Sequence, residues 1–558
     1  MGYQLNYPKK TMYQLIKDIA AKYPHAEAYE FFNLTTNFKD FLTKIDDVAA
    51  ALYQMGVRKG DAVTICMPNV PQALHCFYGV NKLGAIANMI HPLSAESSIS
   101  FYLNISESRV ILTLDQFYDK VNSSLSEVEH PVTILTARIQ DELPVYLKLP
   151  YIATEGKKYL KFPNTDNGIY WKDFLKNKAK NIKEAPFEMD RTAVILYSGG
   201  TSGTPKGICL TDFNMNGVGF QCVDAFGEHV GPGTRILSCM PMFHGFGLGI
   251  NINMVLVHGG KCILMPNFNI KKYAHMIIKK KPHVIAGVPT IFEALLHIPD
   301  MKGVKLDFMQ GVFCGGDSLS IELKNKVDAF LKEHGAKIKI RQGYGLTECV
   351  TASCLTPYYK EKEGSIGLPF TDMKYAIVEP GTDDVLPANT QGEIIITGPT
   401  LMKGYLKNPE ETSQTLRRMP DGNLWLYTGD LGHMDEEGFV FFSQRIKRMI
   451  VTNGYNVYPG QLENVIDSVA EVAYSCVIGV KDARRGQRVR AYVVLRDGIS
   501  ESDEIKNKII EALKKKIDGY ALPKEIMFKK ELPKTLVGKV FYRQLEEEAN
   551  AEEEKKQA

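Results

Sequence analysis

Nowhere in this 558-residue chain does an apolar run reach the length needed to span a bilayer, and Met1–Lys10 carries no signal-peptide core. Membrane-spanning and secreted classes are set aside, and a cytoplasmic protein is expected. A charge excess is also lacking: Lys+Arg number 67 against Asp+Glu 64, a net of +3, which leaves no electrostatic footprint for nucleic acid. The ten cysteines, scattered from Cys66 to Cys476, include no CxxC pair and no neighbouring histidine in metal-ligand spacing. A disulfide framework and a structural zinc are therefore excluded, and buried reduced thiols are expected. Gly-x-Ser-x-Gly is missing and no histidine pairs with Ser or Cys in a hydrolase pattern, so an esterase reading has no support. Internal repeats are absent.

The length requires two or more domains, and an apolar fraction of 44% is that of a globular protein. The first segment reads as a helix capped at Thr11, with Met12, Leu15, Ile16, Ile19 and Tyr23 on one face. Its polar face mixes Lys17, Asp18 and Lys22, so core packing fits better than a membrane-lying helix. From Asp61 short apolar runs alternate with longer periodic segments. Strands are predicted at 62–67, 85–90 and 110–114, and helices at 71–83 and 97–105. This βαβα rhythm predicts an α/β fold with a largely parallel sheet. Residues 156–181, rich in lysine and aromatics, read as a surface excursion, after which strands recur at 236–240, 262–264, 283–288, 309–313 and 338–341. Beyond Gly364, short strands with Gly/Asp/Asn turns suggest a small antiparallel or barrel-like unit. Past Lys447 lies a compact α+β stretch, and the charged tail from Glu546 is expected to fray.

The most informative string follows the apolar run 193–196: Tyr197, Ser198, Gly199, Gly200, Thr201, Ser202, Gly203, Thr204, Pro205, Lys206, Gly207. Glycines let backbone N–H groups approach an anion, hydroxyls add neutral donors or oxygen ligands for Mg²⁺, and Lys206 adds a point charge. Composition alone would also suit a flexible surface loop. A Walker loop is excluded, because Pro205 precedes and Gly207 follows the lysine. The full string resembles the phosphate-loop signature of the adenylate-forming superfamily: acyl-CoA synthetases, peptide-synthetase adenylation domains and firefly luciferase.

Five further stretches match that family, over nearly the whole chain. Gln342-Gly343-Tyr344-Gly345-Leu346-Thr347-Glu348 follows a predicted strand. The resemblance gives Tyr344 the purine, Thr347 the α-phosphate and Glu348, with Thr201, the Mg²⁺. Gly315-Gly316-Asp317 ends the preceding strand, where the family lays adenine on the backbone. Asp430, in Tyr427-Thr428-Gly429-Asp430, is implied to accept both ribose hydroxyls, helped by Arg445. Within Arg445–Pro459, Lys447 is implied to be the hinge between an AMP-binding domain, 1–446, and a mobile C-terminal domain, 447–558, and Gly454-Tyr455 to line the pantetheine tunnel. In Pro533–Lys539, the family's lysine, here Lys539, bridges substrate carboxylate and α-phosphate during adenylation. The downstream basic pair is only partly kept, as Phe541-Tyr542-Arg543. His244, beside Gly245, reads either as a packed core histidine or, by resemblance, as a substrate-lining wall.

The implied activity is ATP-dependent activation of a carboxylic acid to acyl-AMP and transfer to CoA, with catalysis by Lys539, Lys206, Thr201 and Glu348. The segment order looks most like bacterial fatty acyl-CoA synthetases acting on medium- or long-chain acids. Aryl or steroid-like acids, and carrier-protein loading, stay open as alternatives. Partners are then small molecules, ATP and CoA, with weak peripheral membrane contact and a monomer or homodimer left open.

Overall fold

The computed structural model describes residues 3–156, 168–198, 205–452, 455–482, 485–517, 519–534 and 540–557, with side chains at 455, 456, 556 and 557 left out. The first helix, Met12–Lys22, begins where its sequence demands. The Thr11 hydroxyl accepts from the Gln14 backbone N–H at 3.1 Å, and the Gln14 side chain accepts from the Thr11 N–H at 3.0 Å. That reciprocal cap satisfies two otherwise orphan donors. Met12, Leu15 and Ile16 are buried, so the apolar face is core.

Two large sheets form the bulk of the molecule. An eight-stranded sheet runs in the order 404–405, 206–211, 192–198, 86–89, 62–66, 110–114, 133–137, 168–170. A nine-stranded sheet runs 368–369, 354–355, 340–344, 311–314, 284–287, 235–238, 261–264, 27–31, 34–37. The inner pairs of both are parallel, as the alternation of elements predicted, and the antiparallel strands are added toward the margins. Helices Pro71–Lys82 and Asp212–Phe226 are buried around most of their circumference. Such helices cannot face water; they form the layer between the sheets.

The antiparallel unit expected after Gly364 is a five-stranded sheet of 374–378, 392–397, 424–434, 416–418 and 440–445. A separate five-stranded sheet, 455–457, 450–452, 486–495, 472–482 and 525–528, makes the C-terminal unit with its own core of Ile450, Val457, Leu462, Ile466 and Ile509. A large mixed α/β N-terminal domain and a small α+β C-terminal domain are thus both present.

Two expectations are corrected. The tail is helical over Tyr542–Gln557 rather than frayed, because Leu545 and Ala549, one turn apart, are fully buried against Cys476, Ile478 and Val480. The lysine-rich excursion rejoins the core. Gly168–Tyr170 adds an edge strand beside Thr133–Ala137, and Trp171 is buried. No described helix is long and apolar enough to cross a membrane.

Candidate active site

The strands Gly311–Cys314 and Ile340–Tyr344 lie side by side in parallel, with Cys314 opposite Gln342. Their carboxyl ends place Gly315-Gly316-Asp317 next to Gly343-Tyr344-Gly345, the position at which open α/β sheets bind ligands. These residues open onto a cavity of about 1920 Å³ that also receives Ser198, Lys206, Gln342, Thr347, Glu348, Asp430, Arg445 and Lys447. Lys206, Glu348 and Asp430, which together span more than two hundred positions of the chain, therefore face one space.

Local chemistry explains each placement. Arg445 stands directly opposite Asp430 across antiparallel strands, and its Nε lies 3.5 Å from Asp430 Oδ1. The Asp430 charge raises the Arg445 pKa further, so this guanidinium stays charged. The Tyr344 hydroxyl donates to Asp430 Oδ2 at 2.7 Å, and burial with the adjacent carboxylate pushes the phenol well above its ordinary range. The Tyr344 ring lies 5.9 Å from that of Phe442. The two rings are tilted by 35°, so an aromatic corner stands beside an oriented carboxylate.

On the opposite side, Lys206 forms an ion pair with Glu411, and its Nζ sits 5.1 Å above the Tyr405 ring. The Tyr405 hydroxyl donates to Glu348 Oε1 at 3.0 Å. Neither Glu411 nor Tyr405 lies in a motif, and no spacing in the sequence singles them out. Glu393, which accepts from the Gly429 N–H at 2.9 Å, was likewise missed; burial raises its pKa.

The turn after Glu348 is strained. Val350, a β-branched residue, holds φ 69° and ψ −58°, a γ-turn geometry that costs of order 1–3 kcal/mol. Its carbonyl explains a glycine: a Cβ on Gly245 would fall 1.7 Å from Val350 O, so only glycine lets the His244 loop pass. At Gly345 the same test gives 1.6 Å to Thr351 O. His244 lines the cavity and its Nδ1 accepts from the Phe246 N–H at 3.3 Å. Gly245 lies behind it, outside the wall.

From His244 the cavity continues between helix 212–226, the wide π-helix Phe246–Met254 and the strands behind. Phe226, Ile236, Ile250, Met254, Val284, Ala286 and Phe313 face it. None of these seven residues carries a charge. At its mouth the His91 and Phe243 rings lie 4.2 Å apart, and burial lowers the His91 pKa to about 4, so that imidazole is neutral near pH 7. Asn251 is buried in this arm with both side-chain amide atoms lacking a hydrogen-bond partner among the described residues. An unpaired buried amide costs about 1–3 kcal/mol.

Gly199, Gly200, Thr201, Ser202, Gly203, Thr204, Gly454 and Lys539 lie outside the described residues. The residues on either side of 535–539, Lys534 and Val540, bridge each other and face the cavity. Tyr455 opens a strand paired with Thr452, and its side chain lies outside the described atoms. All ten cysteines are free and buried.

A family model for AMP-binding enzymes matches residues 16–406, and one for the AMP-binding enzyme C-terminal domain matches 461–539. The chain belongs to the AMP-binding enzyme family. Within this adenylate-forming superfamily it is an AMP-forming acid–thiol ligase of the acid–CoA ligase type. It is 34% identical over 553 residues to a long-chain-fatty-acid–CoA ligase of Bacillus subtilis (strain 168), covering 98% of this chain and 96% of the relative. A 4-coumarate–CoA ligase-like protein of Arabidopsis thaliana is 30% identical over 541 residues, covering 95% and 90%. Among solved structures, the anthranilate CoA ligase AuaEII in complex with anthranoyl-AMP superposes with a TM-score of 0.84 at 22% identity, covering 98% of both chains. For this AMP-binding enzyme that last likeness establishes the fold.

Proposed function

We propose that this enzyme adenylates an apolar monocarboxylic acid with ATP and passes the acyl group to CoA, with the acid's body in the uncharged arm beyond His244. The observation that carries the reading is the continuity of one cavity from the Asp430–Tyr344 pair, past Lys206 and Glu348, into that arm. With no described cation along the arm, a second carboxylate on the acid would be desolvated without compensation. Aromatic faces at Phe243, Phe246 and Phe313 suit a flat aryl acid, and the Arabidopsis relative carries a 4-coumarate–CoA ligase-like name. A fatty chain is the second reading, favoured by the identity to the Bacillus ligase. Each buried methylene would contribute about 0.8 kcal/mol.

In the roles proposed, Asp430 with Arg445 accepts the ribose hydroxyls, Tyr344 stacks the adenine beside Gly315-Gly316-Asp317, and Lys206 moves from Glu411 to the phosphates. The acid is already ionised near pH 7, so no general base is needed. The obstacle is repulsion between carboxylate and triphosphate. Lys206, Lys539 and the backbone N–H groups of 199–204 offset it as charge develops at the α-phosphorus. The Glu348 carboxylate, oriented by Tyr405, fits a Mg²⁺ that keeps most of its ligands as phosphate oxygens and water. With the Thr201 hydroxyl it would hold that ion, which supplies charge neutralisation. Lys447 is proposed as the hinge that exchanges Lys539 against the Gly454-Tyr455 loop.

The test is ATP–pyrophosphate exchange and thioester formation over C2–C18 and aryl acids. Exchange without a CoA thioester would replace this reading with carrier loading or a luciferase-like reaction. Intact ATP binding with no exchange for any acid would indicate a dead site.

A further inference from the structure

One short segment, 402–411, touches both Lys206 and Glu348. Its main chain is tied to the backbone on either side. The Met402 N–H donates to Glu348 O at 2.7 Å, and the Lys403 and Leu406 N–H groups donate to Cys209 O at 2.9 Å and Gly207 O at 2.7 Å. The last two bonds lay Gly404-Tyr405 antiparallel to Lys206–Thr211, the strand that Lys206 opens. The Tyr405 N–H is fixed in turn by Thr412 Oγ1 at 2.9 Å. Tyr405 is thereby lodged in the cavity wall, 9% exposed. The Lys206 ammonium lies over its ring, 5.1 Å from the centre, and its hydroxyl donates to Glu348 Oε1 at 3.0 Å. The ammonium itself is paired with Glu411, farther along the same segment.

An ammonium and a carboxylate facing one cavity attract each other. Closed into a direct pair, they would satisfy one another and leave neither for an incoming ligand. A phenol between them prevents that without adding a charge. Its π-face attracts the cation, and its O–H supplies the donor that an ionised carboxylate, an acceptor only, can use. Leucine could do neither, and phenylalanine only the first. We propose that Tyr405 is a positioning residue that holds Lys206 and Glu348 apart, keeping the lysine for phosphate and the carboxylate for a divalent cation. The proposal rests on the reading that these two groups take the triphosphate and Mg²⁺. It adds that a single side chain outside every motif sets both.

The test is calorimetric titration of the full-length enzyme with α,β-methylene-ATP, once with Mg²⁺ and once in EDTA, so that no turnover is involved. Tyr405→Phe keeps the ring on Lys206 and deletes only the bond to Glu348. It should weaken binding with Mg²⁺ by about tenfold or more, as loss of a hydrogen bond to a metal-binding carboxylate does, and change binding in EDTA by less than about twofold. Tyr405→Leu removes the ring as well, and should weaken binding in EDTA by about 2–5-fold. A role in folding alone would move both titrations of the phenylalanine variant together. Equal losses in the two, or no loss in either, therefore overturn the proposal, as does an EDTA titration that Tyr405→Leu leaves unchanged. If the leucine variant is insoluble, the phenylalanine variant, which lacks a single oxygen atom, decides. A wild type that binds the nucleotide equally with and without Mg²⁺ would overturn the parent reading of Glu348, and this proposal with it.

Discussion

The two ends of the cavity are built on opposite plans. At the end proposed for the nucleotide the groups are polar, paired with one another and mostly drawn from short contiguous strings: Tyr344 to Asp430, Arg445 against Asp430, and Glu348, which accepts from Tyr405 outside any motif. At the end proposed for the acid the wall, at Phe226, Ile236, Ile250, Met254, Val284, Ala286 and Phe313, is uncharged and assembled from single residues on a helix, a π-helix and three strands. Phosphate and ribose chemistry needs several donors and acceptors at fixed separations, which a tight turn supplies from neighbouring residues. A hydrocarbon needs only excluded water and shape, which any apolar side chain can supply from anywhere in the chain. One end is therefore written as motifs, and the other as packing.

This contrast is open to attack in four places, of decreasing size. Lys539→Ala should lower adenylation by roughly 10²–10³, as loss of one positioned donor does elsewhere. Acyl transfer from preformed acyl-AMP should change little, and single-turnover assays of each half-reaction would separate the two. Equal losses would remove the proposed exchange of faces about Lys447. Asp430→Ala deletes the proposed acceptor for ribose and strands the Tyr344 hydroxyl and Arg445. The KM for ATP should rise about 10–100-fold, the range for hydrogen bonds to a charged group, while the ranking of acids stays fixed. Ala286→Phe is the reverse experiment at the other end. Bulky or long acids should lose about tenfold or more in kcat/KM relative to short ones, with the KM for ATP within twofold; a shift in ATP binding would mean that the ends are not separable. Glu411→Gln should lower the KM for ATP by only about 2–5-fold, because a partly exposed ion pair is worth about 1 kcal/mol or less. A rise in that KM would show that Glu411 positions Lys206 for the phosphates instead of competing with them.

The same contrast governs how far the fold could be read in advance. The Thr11 cap, the strand at Val110–Leu114 and the helix from Pro71 depend on local spacing, and the structure places them within a residue or two of expectation. The C-terminal tail failed for a physical reason. Leu545 and Ala549 are isolated apolar residues in a charged run, and their burial depends on a sheet face, Cys476–Val480, that lies some seventy residues earlier. Trp171 was misplaced on the surface for a similar reason: its partners come from elsewhere in the core. At the site, Lys206 and Glu348 were found through their motifs, whereas Glu411 and Tyr405, which touch them, carry no local signal.

By itself the amino-acid order determined the reaction type, since glycine, hydroxyl, lysine and carboxylate positions within short strings prescribe how phosphates and ribose can be held. Tertiary structure decided everything that depends on residues meeting from distant segments: which carboxylate faces Lys206, and which glycines let the Val350 and Thr351 carbonyls pass. Backbone hydrogen bonding and turn geometry act over a few residues and are readable in a line. Exclusion of water acts through space, and only the folded chain defines it.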